Sequence, residues 1–249
     1  MRGLRKTVGL FSMFLQGCAA VPGGHESLSV PGRFVTSRGK PGLVIGAPHG
    51  GTDDRTTWIG REVAAKTGFS LVLATGFTSP NSPHWRFNVN RPTEGIPGRP
   101  ATEERYTEEA RGVYERYIGQ VRGVSQGPIR LYVELHGNTR QESAGRIEIA
   151  TMGVDRLGAW KLKTLFELTR DSYLGSRPEV PRLEVLVEPL DRVVLTASSA
   201  KQIGILRLPR QAMHIELPRA ARTSAGEVYA QILAEFVQEA SKLLLERGQ

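Results

Sequence analysis

The 249-residue chain has one cysteine and no long apolar run. A single cysteine excludes an internal disulfide framework and a zinc site built from several cysteines, so a metal site would have to use histidines and carboxylates. No stretch of about 18 apolar residues is present, and no transmembrane helix is therefore expected. The 28 glycines and 15 prolines follow no period, which excludes collagen-like chains.

The formal charge of +8 comes from 33 Lys and Arg against 25 Asp and Glu. Arg2, Arg5 and Lys6 stand at the start of the chain, and the later basic residues are scattered without a polybasic block. Neither an aromatic RNA-binding signature nor a DNA-reading motif accompanies them, so no nucleic-acid partner is expected. With 39% hydrophobic residues, the composition suits one compact domain.

The amino-terminal residues have the pattern of an export signal followed by a tether. A basic start precedes an apolar stretch over 8–15 and then small residues. The sequence Leu15-Gln16-Gly17-Cys18 resembles the lipobox of bacterial lipoproteins, which implies a signal peptide over 1–17 and lipid on Cys18. The Pro/Gly/Ser-rich residues 18–31 then form a flexible tether. The chain is therefore expected in the bacterial cell envelope, anchored to a membrane and not cytoplasmic. The alternative is a buried helix with an incidental cysteine.

The remaining residues, 32–249, alternate apolar runs with amphipathic segments. Strands are predicted over 42–47, 69–74, 129–135, 146–151, 183–187, 203–208 and 213–217, and helices over 57–67, 106–121, 155–170 and 229–244. Thr56 or Thr57 can cap the first helix, and Gly68 closes it. The segment 75–100 is too polar for a core element and is predicted to be a functional loop or insertion. This alternation predicts a single α/β domain with a mixed, largely parallel central sheet flanked by helices.

Two predicted strands end in a histidine. His49 and Asp53 stand in the glycine-rich sequence PHGGTDD after the first strand, and His136 follows another. A hydrolytic zinc site needs three protein ligands and an open position, and these residues can supply them, with Asp54 as the alternative to Asp53. Glu216 can act as the general base. The other interpretation is that each histidine is a hydrogen-bonded structural residue.

The sequence RFNVNRP places two arginines in the polar segment 75–100. Arg86 and Arg91 each present a planar fork suited to a carboxylate, and Asn88 and Asn90 add amide groups beside them. A solvated surface is the alternative interpretation.

The motifs PHGGTDD, N-x-N-R-P, E-L-H-G-N and H-I-E-L-P occur in this order over residues 48 to 218. In this order they resemble the N-formylglutamate amidohydrolase-like branch of the zinc carboxypeptidase superfamily. The resemblance implies the α/β fold of that superfamily, which is of the phosphorylase/hydrolase type. It also implies one Zn²⁺ per chain, held by His49, Asp53 and His136. The carboxypeptidases themselves have a Glu three residues after the first histidine, whereas this chain has an Asp four residues after it.

The same resemblance implies roles for the other residues. Asn90 and Arg91 would hold the free carboxylate of the substrate, Arg86 would add a cation for a carboxylate or the oxyanion, and Glu216 would also deliver a proton to the leaving amine. Glu134 shares a strand face with His136 and could orient its imidazole from outside the ligand set. His84 and His214 have a structural role or a secondary one.

The expected function is zinc-dependent hydrolysis of an amide bond in an N-acyl amino acid or small peptide with a free carboxylate. The alternative is a non-catalytic envelope lipoprotein that binds an anionic ligand through Arg86 and Arg91. A serine hydrolase is disfavoured, since no G-x-S-x-G motif is present.

Overall fold

The computed structural model describes residues 32–79, 82–100 and 102–245. The predicted signal peptide, Cys18 and the tether lie outside these ranges. Within them, no helix is both long enough and apolar enough to cross a membrane.

Strands and helices alternate along the described chain. The strands are β1 (Arg33–Ser37), β2 (Lys40–Ala47), β3 (Phe69–Thr75), β4 (Thr78–Ser79), β5 (Ser82–Arg86), β6 (Thr93–Gly95), β7 (Glu104–Tyr106), β8 (Leu131–Gly137), β9 (Arg146–Met152), β10 (Glu184–Val187) and β11 (Gln211–Leu217). The helices are α1 (Thr56–Thr67), α2 (Glu108–Ser125), α3 (Arg156–Leu174), α4 (Ser198–Gln202), α5 (Arg219–Arg222) and α6 (Gly226–Leu245), with 3-10 turns over Gln141–Ser143 and Ile205–Arg207.

Seven strands form the central sheet, in the order β1-β3-β2-β8-β11-β9-β10. Strand β1 runs antiparallel to β3, and β11 runs antiparallel to β9, while every other neighbouring pair in this sheet is parallel. The predicted α/β fold with a mixed, largely parallel sheet is confirmed. Because β2, β8 and β11 are adjacent and parallel, their carboxyl ends meet at one edge.

The two faces of the sheet differ in chemistry. On β8, Leu131, Val133 and Leu135 join the core formed with α1, α3 and α6. The alternate residues Tyr132, Glu134 and His136 face the side on which α2 packs, since successive strand side chains point in opposite directions. Strand β11 repeats the pattern, with His214 and Glu216 on the α2 side. One face is therefore a continuous apolar core, and the other becomes polar toward the carboxyl ends.

The strand predicted over 203–208 is wrong. These residues follow α4 and include a 3-10 turn, in which Ile205 and Leu206 are both buried. The Ile205 N–H donates instead to the carbonyl oxygen of Asn90 (2.9 Å), so this segment packs against the 75–100 region.

Two helix starts also differ from the expectation. Arg55, in a left-handed conformation, precedes α1, and Thr56 is the first helical residue, with its hydroxyl donating to the Asp53 carbonyl (2.7 Å). Helix α2 begins after Tyr106, because Thr107 caps it by accepting from the Ala110 N–H (3.1 Å). Exposed Tyr106 belongs to β7. The other predicted elements are present with shifted ends.

Candidate metal centre

A tight turn after β2 carries the first two predicted ligands. The carbonyl oxygen of His49 accepts the N–H groups of Thr52 (2.9 Å) and Asp53 (2.8 Å). A Cβ on Gly50 would lie 2.1 Å from a methyl carbon of Thr57, so the turn requires glycine there. This compact turn brings the side chains of His49 and Asp53 to the carboxyl end of β8.

The three predicted ligands His49, Asp53 and His136 converge. Asp53 Oδ2 lies 3.7 Å from Nδ1 of His49 and 3.3 Å from Nδ1 of His136. The same oxygen accepts the backbone N–H of Gly137 (3.1 Å), which fixes the carboxylate at the end of β8. Asp54 is not part of this cluster, whose ligand atoms all lie within 4.8 Å of one another.

The spacing of these atoms fits a small divalent cation. Ligand atoms about 2.1 Å from a tetrahedral zinc ion are about 3.4 Å apart, close to the 3.3 Å and 3.7 Å measured here. Two imidazoles and one carboxylate form a donor set typical of hydrolytic zinc sites. The cluster also has one side open to a cavity. The residues present therefore fit a metal ion.

Ionisation favours the same role for these residues. Burial lowers the pKa of His49 and so favours the neutral imidazole that can ligate a metal. Burial opposes ionisation of Asp53, but its close contacts with His136 and His49 hold its pKa well below its usual range. Burial also lowers the pKa of His136, yet Glu134 and Asp53 outweigh this effect and raise it to about 10. A cation would take the place of that proton.

Glu134 lies behind His136 and is fully buried. Its Oε2 is 3.1 Å from Nε2 of His136. This is an ion-pair contact, because the angle at the ring nitrogen does not suit a hydrogen bond. Oε2 also accepts from Asn90 (3.1 Å) and lies 3.0 Å from His214 Nδ1, while Oε1 accepts from Tyr132 (3.1 Å). These partners already occupy the carboxylate, so Glu134 fits an orienting role better than a ligand role in the second cluster of Glu134, His136 and His214.

The candidate base Glu216 stands opposite His136 in the β8–β11 register. Its Oε1 lies 3.0 Å from Nε2 of His214, and its Oε2 has no hydrogen-bond partner among the described residues. Burial raises the pKa of Glu216, but the His214 contact outweighs burial and lowers it below the ordinary value. Glu216 is thus a buried, ionised carboxylate with one free oxygen.

A cavity of about 380 Å³ opens over the cluster. It is lined by His49, Asp53, Asn90, Arg91, Thr102, Glu104, His136, Gly137, Arg140, residues 194–200, His214 and Glu216. Two guanidinium groups therefore border the space next to the candidate metal ligands.

The two cations in the wall differ in their partners. Arg91 Nε donates to Glu104 Oε2 (2.8 Å), Nη2 lies 2.8 Å from the same oxygen, and Nη1 donates to the Asn90 side-chain oxygen (3.0 Å). Burial opposes ionisation of Glu104, but Arg91 outweighs it and lowers the pKa. Among the described residues, Arg140 has only a 3.6 Å contact with Glu142, and its side chain is 41% exposed, so it presents the less occupied guanidinium.

The structure does not bring every predicted site residue to the cavity. Arg86 packs against Gly95 and donates to the Arg99 carbonyl (3.3 Å), and it does not line the cavity. Asn88 lies behind Glu104, to which it donates (2.8 Å). For His84, the backbone belongs to β5, and its side chain lies outside the described part of the structure.

Several residues of the site were missed from the sequence. Glu104 and residues 194–200 carry no motif, so the sequence offered no signal for them. Arg140 follows His136-Gly137-Asn138 closely, and a cation just after a strand-ending histidine could have been noted. Tyr132 shares the alternation of Glu134 and His136 and could have been placed on the same face.

No family model matches the chain, and no curated protein matches it. Among solved structures, a bacteriophage poly-gamma-glutamate hydrolase is 15% identical, with 89% of this chain and 93% of that chain covered and a TM-score of 0.49. YndL in its zinc-free form is 15% identical, with 88% and 91% covered and a TM-score of 0.49. A metallo-carboxypeptidase from Burkholderia cenocepacia is 11% identical, with 86% and 61% covered and a TM-score of 0.47.

Proposed function

We propose that this chain is a zinc-dependent hydrolase that cleaves an amide bond in an N-acyl amino acid or small peptide with a free carboxylate. The observation that carries the proposal is the convergence of His49 Nδ1, His136 Nδ1 and Asp53 Oδ2 beside a cavity that Glu216 also lines. A carboxylate with a free oxygen beside a three-ligand cluster is the arrangement that metal-assisted hydrolysis requires.

The chemistry follows from the residues around the cavity. When bound, zinc would make a water molecule more acidic and polarise the amide carbonyl. Glu216 accepts a proton from the attacking water and passes it to the departing amine nitrogen. The water oxygen forms the new bond to carbon as the C–N bond breaks, so that the products are a carboxylic acid and an amine.

A guanidinium in the wall would orient the substrate. Pairing of the substrate carboxylate with Arg91 or Arg140 would hold the scissile amide over the metal ligands, which turns binding energy into orientation. Arg86 would act only indirectly, because it contacts Gly95 and the Arg99 carbonyl.

We also propose that the chain is exported and anchored through lipid on Cys18. The proposal rests on the basic start, the apolar residues 8–15 and the sequence Leu15-Gln16-Gly17-Cys18. The tether over 18–31 would then separate the domain from the membrane surface.

The first experiment measures the metal content of the purified chain and of His49→Ala and His136→Ala. We expect about one zinc per chain in the parent and less than a fifth of that in each variant, since two ligands cannot hold the ion well. Hydrolysis of N-acyl amino acids and dipeptides is then assayed by measuring the free amine that is released.

Glu216→Gln separates an enzyme from a ligand-binding protein on the same fold. The variant should keep its zinc and lose activity by about 10²- to 10⁴-fold, because it removes the proton acceptor and leaves the ligands in place. A parent that binds no metal when zinc is supplied would refute the proposal. Equal hydrolysis by the parent and Glu216→Gln would remove the assigned base.

A further inference from the structure

One oxygen atom of Glu134 serves three functional side chains. Oε2 contacts Nε2 of the candidate metal ligand His136 (3.1 Å), Nδ1 of His214 (3.0 Å) and the amide of Asn90 (3.1 Å). Asn90 in turn accepts from Arg91. One buried oxygen atom thus contacts the candidate metal ligand His136 and His214 directly, and contacts Arg91 through Asn90.

His214 continues this connection to the base. Its ring lies between Glu134 Oε2 at Nδ1 and Glu216 Oε1 at Nε2, with both distances 3.0 Å. The ring centroids of His214 and His136 are 4.1 Å apart, and the two ring planes are tilted by 31°. Contacts at both nitrogens and on one ring face leave His214 almost no rotational freedom.

The contact between His214 and Glu216 gives the two oxygens of Glu216 different environments. Oε1 is held by His214, and Oε2 has no partner among the described residues. A carboxylate is planar and rigid, so holding Oε1 on His214 limits the positions that the free oxygen Oε2 can take. Without His214, either oxygen of Glu216 could face the cavity.

We propose that His214 is a positioning residue that fixes Glu216 so that Oε2 is the oxygen that exchanges protons. In this proposal, Glu134 Oε2 holds the imidazole rings of both His214 and His136 in place. The inference rests on the proposed function and deepens it. His214 also lines the cavity, and the role proposed here is the one that it exerts through its contact with Glu216 Oε1.

Two substitutions of His214 test this proposal as a matched pair. His214→Asn keeps an amide near the position of Nδ1, toward Glu134, and loses the contact with Glu216. His214→Gln places an amide near the position of Nε2 and can still hold Glu216. Each variant removes the ring and retains one hydrogen-bonding group, so the pair separates the two contacts.

We expect His214→Asn to lower kcat by about 10- to 100-fold, with KM and zinc affinity within about threefold of the parent. His214→Gln should recover most of that loss in kcat. Zinc affinity is measured by competition with a chromophoric chelator, and crystal structures of both variants report the position of the Glu216 carboxylate. In His214→Asn that carboxylate should move from its position in the parent, while in His214→Gln it should stay.

Equal kcat values for the two variants, or a fall in zinc affinity that parallels the loss of kcat, would overturn the positioning role. A Glu216 carboxylate that keeps its place in His214→Asn would do the same, including when no test substrate is hydrolysed. Failure of the proposed function is distinct, because there Glu216→Gln would be as active as the parent or the parent would bind no zinc.

Discussion

At the scale of single residues, Glu104 occupies the guanidinium of Arg91 and would compete with a substrate carboxylate for it. Glu104 Oε2 lies 2.8 Å from both Nε and Nη2 of Arg91, which form the edge of the guanidinium that a substrate carboxylate would use. A substrate carboxylate on Arg91 must therefore displace Glu104, while Arg140 has no such close partner in the part of the chain that the structure describes.

Glu104→Gln should lower KM for a substrate with a free carboxylate by about fivefold, since an ion pair of this kind is worth about 1 kcal/mol. Steady-state kinetics with an N-acyl amino acid and its carboxamide measure the effect, which should be confined to the free acid. Glu103→Gln, at an exposed neighbouring position, is the control. A higher KM in Glu104→Gln would show that Glu104 instead holds Arg91 in its binding position.

Gly46 in β2 makes room for the tyrosines that lie below the site. A Cβ there would be 2.2 Å from the Tyr132 hydroxyl and 2.7 Å from the Tyr117 hydroxyl. These hydroxyls are 2.8 Å apart, and Tyr132 donates to Glu134. A side chain at position 46 would therefore disturb the support of the site.

Gly46→Ala should destabilise the fold by about 1–3 kcal/mol through overpacking. Gly112→Ala in α2 is a matched control, because nothing lies within 4 Å of the position that an added Cβ would take, and alanine should stabilise the helix by about 0.5–1 kcal/mol. Urea unfolding of both variants measures the two free energies. Equal stability of Gly46→Ala and the parent would mean that the tyrosines can move at no cost.

At the scale of elements, Glu148 of β9 ties the cavity wall to the sheet. Its Oε1 accepts from Ser143 and Arg146 (2.8 Å each), and its Oε2 accepts the backbone N–H groups of Val194 (2.7 Å) and Leu195 (3.0 Å). Burial raises the pKa of Glu148, but these donors outweigh burial and lower it below 4.5. The folded state therefore favours the ionised form.

A carboxyl group whose pKa is lower in the folded state than in the unfolded state stabilises the fold at pH values above its unfolded-state pKa. This contribution is lost as the pH falls through the folded-state pKa. Glu148→Gln should cost about 1–3 kcal/mol at pH 7, and the difference from the parent should shrink as pH falls from about 4.5 toward 3. Urea unfolding at several pH values measures this difference. Glu179→Gln, at an exposed position, should match the parent throughout, and a pH-independent cost in Glu148→Gln would contradict the assignment.

At the scale of the whole molecule, the predicted organisation is a single domain over 32–249 that follows amino-terminal residues whose predicted role is delivery. The domain buries one face of its sheet under α1, α3 and α6, while the other face packs apolar residues against α2 and becomes polar toward the carboxyl ends, where the candidate site lies. The residues before it carry the single cysteine of the chain. Anchoring through Cys18 is therefore testable with one substitution.

Cys18→Ser should abolish incorporation of an alkyne-tagged fatty acid, because the thiol is the predicted acyl acceptor. The chain should also fail to be processed and to float with membranes after density centrifugation. Ser27→Ala, within the predicted tether, should label and float like the parent. Labelling that persists in Cys18→Ser would place any lipid elsewhere.

The sequence alone determined the fold class and the edge of the sheet at which the site lies. Apolar runs separated by amphipathic helices indicate a layered α/β arrangement, and parallel strands bring their carboxyl ends to one edge of the sheet, where polar residues at strand ends are expected to gather. His49, Asp53 and His136 could be chosen for this reason. The strand predicted over 203–208 failed because apolar composition does not distinguish a strand from a turn that buries consecutive residues.

Only the tertiary structure decided which side chains contact one another across long distances in the chain. The Glu134–His214 contact joins residues 80 positions apart, and the pairing of Arg91 with Glu104 depends on how β6 and β7 fold back on each other. Such contacts depend on side-chain direction and on the backbone between the partners, which periodicity does not specify. The positions of the candidate ligands follow from strand order, whereas the contacts of the residues proposed to orient those ligands and the base follow from packing.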